Sequence, residues 1–243
     1  MMNLPSSWDL PPVIKNRFGQ KSLGQQRAMI AHNHLLLVLH KPPEPHQRKR
    51  EVALFWRQPD GTWKQTAIGN GIEPLIRHLK EYNAAAEKFL ADYHQAQEAE
   101  DYFRILEAMS PLRLATKNLH ATLQAAREGI PGDRDLIDLR DYAYEIERSL
   151  DLLYENTKNA LDFRIAKRAE EQTQLSLQAV KAGERLNILA GIFFPLTALA
   201  SVFGMNLVSG LESNSIGTFW LVVLVGIVLG LFVLQWSIKG KLK

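Results

Sequence analysis

The tripeptide Gly204-Met205-Asn206 closes an uncharged run over residues 186–206, and it is the place in this chain where residue type and spacing point to ion chemistry. A divalent cation cannot enter hydrocarbon bare, and a small one sheds its waters reluctantly. A selective entrance can instead hold the hydrated ion through neutral oxygens. The amide carbonyl of Asn206 accepts hydrogen bonds from coordinated water without the full negative charge that would trap a dication. Gly204 lets backbones approach closely at such a mouth, and Met205 can pack behind Asn206. Read alone, Asn206 is first of all a cap at a helix C-terminus. What precedes and follows it makes it a candidate filter.

The run from Leu186 to Asn206 has the length that crosses a bilayer as a helix, about twenty residues. A second apolar run, Ile216 to Trp236, follows after the short loop 207–215, so a two-helix transmembrane hairpin is expected. Lys181 and Arg185 precede the first span, and Lys239, Lys241 and Lys243 follow the second. The loop carries no Lys or Arg and one acid, Glu212. The positive-inside rule then puts both termini in the cytoplasm of a cell (inner) membrane protein. Trp220 and Trp236 bracket the second span where interfacial aromatics belong, and Gly226 and Gly230, four apart, permit close helix contact.

The combination of Arg185-Leu186, Ile192-Phe193-Phe194-Pro195-Leu196-Thr197 and Phe203-Gly204-Met205-Asn206-Leu207 with one further apolar run resembles the membrane part of the CorA family of magnesium channels. The close resemblance covers about the last 60 residues and barely reaches the N-terminal third. It implies a homopentamer with five first spans around one pore, and Leu186, Ala190, Phe194, Thr197 and Ser201 facing the axis. Their spacing of four, four, three and four does put them on one helical face. It also implies gating by cytoplasmic magnesium, but the acids Asp92, Glu98, Glu100, Asp101 and Glu107 match no sensor motif. The outer loop, with Glu212 alone, is poorer in acid than the family's.

Before the membrane the chain is polar. A short apolar run, Leu35–Leu39, ends at Pro42-Pro43 and reads as a buried strand; Val52–Trp56 and Trp63–Ala67 flank Pro59-Asp60-Gly61, a hairpin signal. Residues 1–20, with Pro5, Pro11 and Pro12, read as irregular or loosely docked, and no signal peptide is expected there. A helix starts at Glu73-Pro74. Ser110-Pro111 reads as a cap and restart, Gly129 with Pro131-Gly132 as a stop, and Asp133 as the cap of a helix running to about residue 206. That helix would be roughly 110 Å long. Leu161, Ile165, Arg168, Gln172, Leu175, Ala179, Ala182, Leu186, Leu189 and Phe193 follow a four-three alternation, the seam of helices packed side by side. Arg168 and Gln172 fit a wet axis better than a dry one.

The expected architecture is an α+β cytoplasmic domain with a small β-sheet and long helices (1–133), a stalk helix (134–185), a first transmembrane helix with the pore motif (186–206), an external loop (207–215), a second transmembrane helix (216–236) and a basic cytoplasmic tail (237–243). With net charge +3, nucleic acid is not an expected partner; with no cysteine, neither a disulfide framework nor a thiolate metal site is possible. His32 and His34 could share a strand face but lack a third ligand. The basic run His46-Gln47-Arg48-Lys49-Arg50 reads as a solvated turn. No catalytic motif and no cofactor beyond transported, or regulatory, magnesium is expected. The expected function is a channel for divalent cations, magnesium first, with partners being the bilayer and further copies of the chain. Zinc or another transition metal is the alternative cargo, and a non-conducting membrane-anchored coiled-coil scaffold is the alternative class.

Overall fold

The computed structural model describes residues 4–18, 24–44, 50–66, 71–204 and 216–240. Met205, Asn206, the loop 207–215 with Glu212, His46 to Lys49, Lys241 and Lys243 lie outside the described residues, as do the side chains of Phe203, Trp236 and Lys239. Two compact units divide the chain, Met1–Ala166 and Lys167–Lys243.

In the first unit the order is α1 (Pro12–Arg17), β1 (Arg27–Ala31), β2 (His34–His40), β3 (Val52–Arg57), β4 (Trp63–Gln65), α2 (Glu73–Gln95) and α3 (Ala99–Gly129), followed by the first part of α4 (Arg134–Gly204). The sheet runs β1-β2-β3-β4 with every pair antiparallel. Leu35, Leu37 and Leu39 join the core shared with α2, α3 and α4, whereas Leu36 and Val38 join a second cluster with Trp8, Leu10, Ile14 and Met29. Both faces of β2 are therefore covered, which is why its residues form an unbroken apolar run instead of alternating. Asp60 and Gly61 turn β3 into β4, with Gly61 at φ +88° and the Asp60 carboxylate accepting from the Thr62 N–H at 2.9 Å.

Three local expectations need correction. Residues 1–20 are not loosely docked where they are described: Trp8, Leu10 and Ile14 are buried and close the second face of the sheet. The sheet also gains β1 through a tight turn at His32 and Asn33, both at positive φ (50° and 60°), the geometry of a primed hairpin turn. Finally, Ser110-Pro111 neither caps nor restarts a helix, because α3 runs through Pro111. Ile105, Met109, Leu112, Ala115, Leu119, Leu123 and Ala126 form one buried stripe across the proline. Burial at about 1.5–3 kcal/mol for each large side chain offsets the roughly 3 kcal/mol that an interior proline costs. The break falls earlier, at residues 96–98, where Glu98 and Asp101 form a capping box.

Asp133 does cap α4: its Oδ1 accepts from the Leu136 N–H at 3.2 Å, and its Oδ2 accepts from the Arg57 guanidinium. In α4, Leu136, Leu139, Ala143, Ile146, Leu150 and Leu153 are core residues, so the segment expected to be stalk begins as a packed helix of the first unit. The second unit holds the rest of α4 and α5 (Ile216–Gly240). Among the described residues, one helix is long and apolar enough to cross a membrane, within Arg134–Val202, and none of its apolar window is buried; in α5 the apolar stretch is the shorter Phe219–Val233.

Candidate functional site

In the second unit α4 and α5 touch through glycine. A carbon built at the Cβ position of Gly226 would lie 3.0 Å from Leu196 Cδ1 and 3.3 Å from Leu199 Cδ1. At Gly230 it would lie 3.2 Å from both Cα and O of Ile192 and 3.3 Å from the Gly191 carbonyl oxygen. The small-residue spacing of α5 thus marks the line on which α4 rests.

That contact identifies the face of α4 that meets α5. Counting about 100° per residue around the helix, Ile192, Leu196 and Leu199 lie within about 60° of one another. On the same count Leu186, Ala190, Phe194, Thr197 and Ser201 occupy an arc of about 80° centred nearly opposite. Leu186 and Phe194 are 67% and 73% exposed. Thr197 and Ser201 are exposed and Ala190 is partly so. Phe193 lies about 90° from the point opposite the α5 contact and Phe194 about 10°, so the neighbouring aromatics are not equivalent. The Thr197 hydroxyl donates to the Phe193 carbonyl at 2.6 Å, which leaves its oxygen free to act as an acceptor. Gly204 ends α4 with nothing near its Cβ position. Asn206 and Met205 fall outside the described residues, and the seam positions Ile165, Leu175, Leu186, Leu189 and Phe193 are exposed within one chain.

Sequence reasoning passed over Gly191, Ile192, Leu196 and Leu199 as a face. The signal was available: Gly226 and Gly230 allow something to come close, and Gly191 is the one glycine within residues 186–203.

The first unit disperses its ionisable groups. His32 sits in the β1–β2 turn, and His34 Nδ1 accepts from Trp56 Nε1 at 3.1 Å, so the two do not act as a pair. His120 lies 2.6 Å from Glu147. His40 and His78 are buried, and burial holds both below the usual histidine range, His78 at about 4. Tyr82 donates to the His40 carbonyl at 2.8 Å, while Gln26 accepts from the His40 N–H at 3.3 Å and donates to the Ala115 carbonyl at 2.7 Å. These bonds tie the sheet end to α2 and α3. Asp101 is held low first by the backbone N–H groups of Glu98 and Gln97 and then by Arg104, which accounts for it as a cap. Among the described residues no three His, Asp or Glu side chains gather where one metal ion could be held.

No family model matches this chain, and no curated protein matches it in sequence. Among solved structures it is similar to the CorA magnesium transporter from Methanocaldococcus jannaschii, at 16% identity and TM-score 0.37, covering 92% of this chain and 81% of that one. It is similar to the full-length CmaX protein at 14% identity and TM-score 0.49, covering 91% and 78%. A third similarity is to the cytoplasmic domain of ZntB from Vibrio parahaemolyticus, at 9% identity and TM-score 0.38, covering 67% and 80%. At these identities and scores the likenesses carry none of the assignments below.

Proposed function

We propose that this chain is a membrane channel for hydrated divalent cations, magnesium first, built as a homopentamer in which α4 lines the pore and α5 faces lipid. The observation that carries the reading is the two-sidedness of α4 in the second unit. One face rests on the glycines of α5, and the opposite, exposed face presents Leu186, Ala190, Phe194, Thr197 and Ser201 in order toward Gly204. A helix that only anchored a scaffold would have no need to grade from apolar to hydroxyl-bearing along one exposed face. Asn206, two residues past the end of α4, would hold the water shell of the ion at the outer mouth. The apolar inner part, Leu186 to Phe194, would stop hydrated ions by dewetting. Entry would be driven by a potential worth about 2.3 kcal/mol per charge per 100 mV. Neither histidine nor cysteine occurs in residues 186–240, which disfavours a dehydrated zinc path.

Complementation of a magnesium-uptake-deficient bacterium, with magnesium, zinc, cobalt and nickel compared in liposome flux, tests the cargo. Flux of none of them sinks the channel and leaves the scaffold. Native mass spectrometry in detergent should show a symmetric oligomer of five copies; monomers or dimers alone would refute the pore.

A further inference from the structure

Proline at position 195 has no N–H, so the carbonyl of Gly191, four residues earlier in α4, loses its intrahelical donor. The same turn is disturbed a second time, since the Thr197 hydroxyl donates to the Phe193 carbonyl at 2.6 Å, and such back-bonding bends helices. Residues 191–197 are thus where the ladder of α4 is least determined from within. That turn is also where α5 lies closest. A Cβ on Gly230 would come within 3.3 Å of the Gly191 oxygen and within 3.2 Å of the Ile192 oxygen and Cα. With no side chain there, the Cα–H of Gly230 can face these carbonyls directly. At Gly226 the close atoms are the ends of the Leu196 and Leu199 side chains instead.

We propose that Gly230 is a positioning residue for the pore: it receives the carbonyl edge that Pro195 leaves exposed and so fixes the rotation of α4 that turns Phe194, and not Phe193, toward the axis. The proposal rests on the channel reading above. Neighbouring residues stand about 100° apart, so a twist of about 40° at this turn would leave the two aromatics equally far from the axis, and about 80° would exchange them. A methyl at Gly230 meets backbone, which cannot swing aside, so the helices must part there by a few tenths of an ångström. A methyl at Gly226 meets leucine ends, which can yield. The two glycines therefore differ in consequence although they share one spacing.

The chain has no cysteine, so single thiols report cleanly. Phe194→Cys and Phe193→Cys are placed one at a time in the full-length protein and oxidised in membranes with copper phenanthroline, and disulfide-linked dimers are quantified. Phe194→Cys should cross-link about tenfold faster than Phe193→Cys. Gly230→Ala should bring that ratio to within about threefold, Gly226→Ala should lower it less, and Gly217→Ala, at a position with open space, should leave it unchanged. Adding Pro195→Ala to Gly230→Ala returns an N–H to the Gly191 carbonyl and should recover part of the ratio, which a simple packing defect would not do. An unchanged ratio in Gly230→Ala overturns the proposal and leaves the channel intact. Cross-linking at neither aromatic in the parent protein overturns the axial reading, and this inference with it. If Gly230→Ala alone fails to insert, the Gly230→Ala/Pro195→Ala pair decides: an inserted protein with a lowered ratio supports the proposal, and no insertion or the parent ratio overturns it.

Discussion

Acidification from pH 6.5 to 4 should loosen the first unit through His78. Its ring lies in α2, 5.5 Å from Phe55 and 5.6 Å from Tyr82 between centroids, with 4% of the residue exposed. Burial is the main cause that pushes its pKa down to about 4; a hydrogen bond with the His40 backbone opposes the drop, and Lys41 and His40 add to it. Above pH 6.5 the imidazole is neutral folded and unfolded, and contributes no pH dependence. Between 6.5 and 4 the unfolded chain binds a proton that the folded one refuses, so stability falls as pH falls. Below 4 both forms are protonated and the loss is complete. From 6.5 to about 4, at roughly 1.4 kcal/mol per pH unit, the loss comes to about 3 kcal/mol. For a unit of this size that is about 6–12 °C in Tm. Thermal melts of the full-length protein in detergent, followed by tryptophan emission, would compare wild type with His78→Leu, which keeps an apolar neighbour for Phe55. The variant should lose about that much less Tm on acidification, with a residual slope from His40, which burial also holds low. Parallel Tm-against-pH curves for the two proteins would refute the assignment.

The remaining predictions concern the pore and the joint at the start of α4. Asn206→Ala should abolish selective uptake with oligomer and insertion unchanged, and Asn206→Asp should bind divalent ions more tightly and pass them more slowly; uptake by the alanine variant at the wild-type rate would make Asn206 a cap only. Phe194→Ser should wet the constriction and give liposome flux even at high internal magnesium; if it and Phe193→Ser both stay as closed as wild type, Leu186 becomes the next candidate for the gate. Asp133→Ala removes a helix cap and leaves the Arg57 guanidinium, 11% exposed, without its carboxylate, so about 4 kcal/mol of stability should go. Denaturant titration in detergent checks this, and a loss under about 1 kcal/mol would show that the pair contributes little.

Much of the architecture was written in local pattern. The apolar run Leu35–Leu39, ended by Pro42-Pro43, reads as a buried strand, Asp60-Gly61 signals a hairpin, and Glu73-Pro74 and Asp133 start helices because their chemistry acts within one turn of chain. The resemblance singles out Leu186, Ala190, Phe194, Thr197 and Ser201, and helical period agrees only in placing them on one face. What escaped was set at long range. Trp8 and Ile14 gain their place only when a sheet face exists to receive them, and Pro111 stays helical because a buried stripe on both sides outweighs its missing donor. The choice between Phe193 and Phe194 also lay beyond the sequence. Periodicity groups residues on a face but does not say which way the face points. If α4 lines a pore as proposed, the direction comes from the backbone of α4 meeting Gly230 of α5, a contact between residues far apart in sequence.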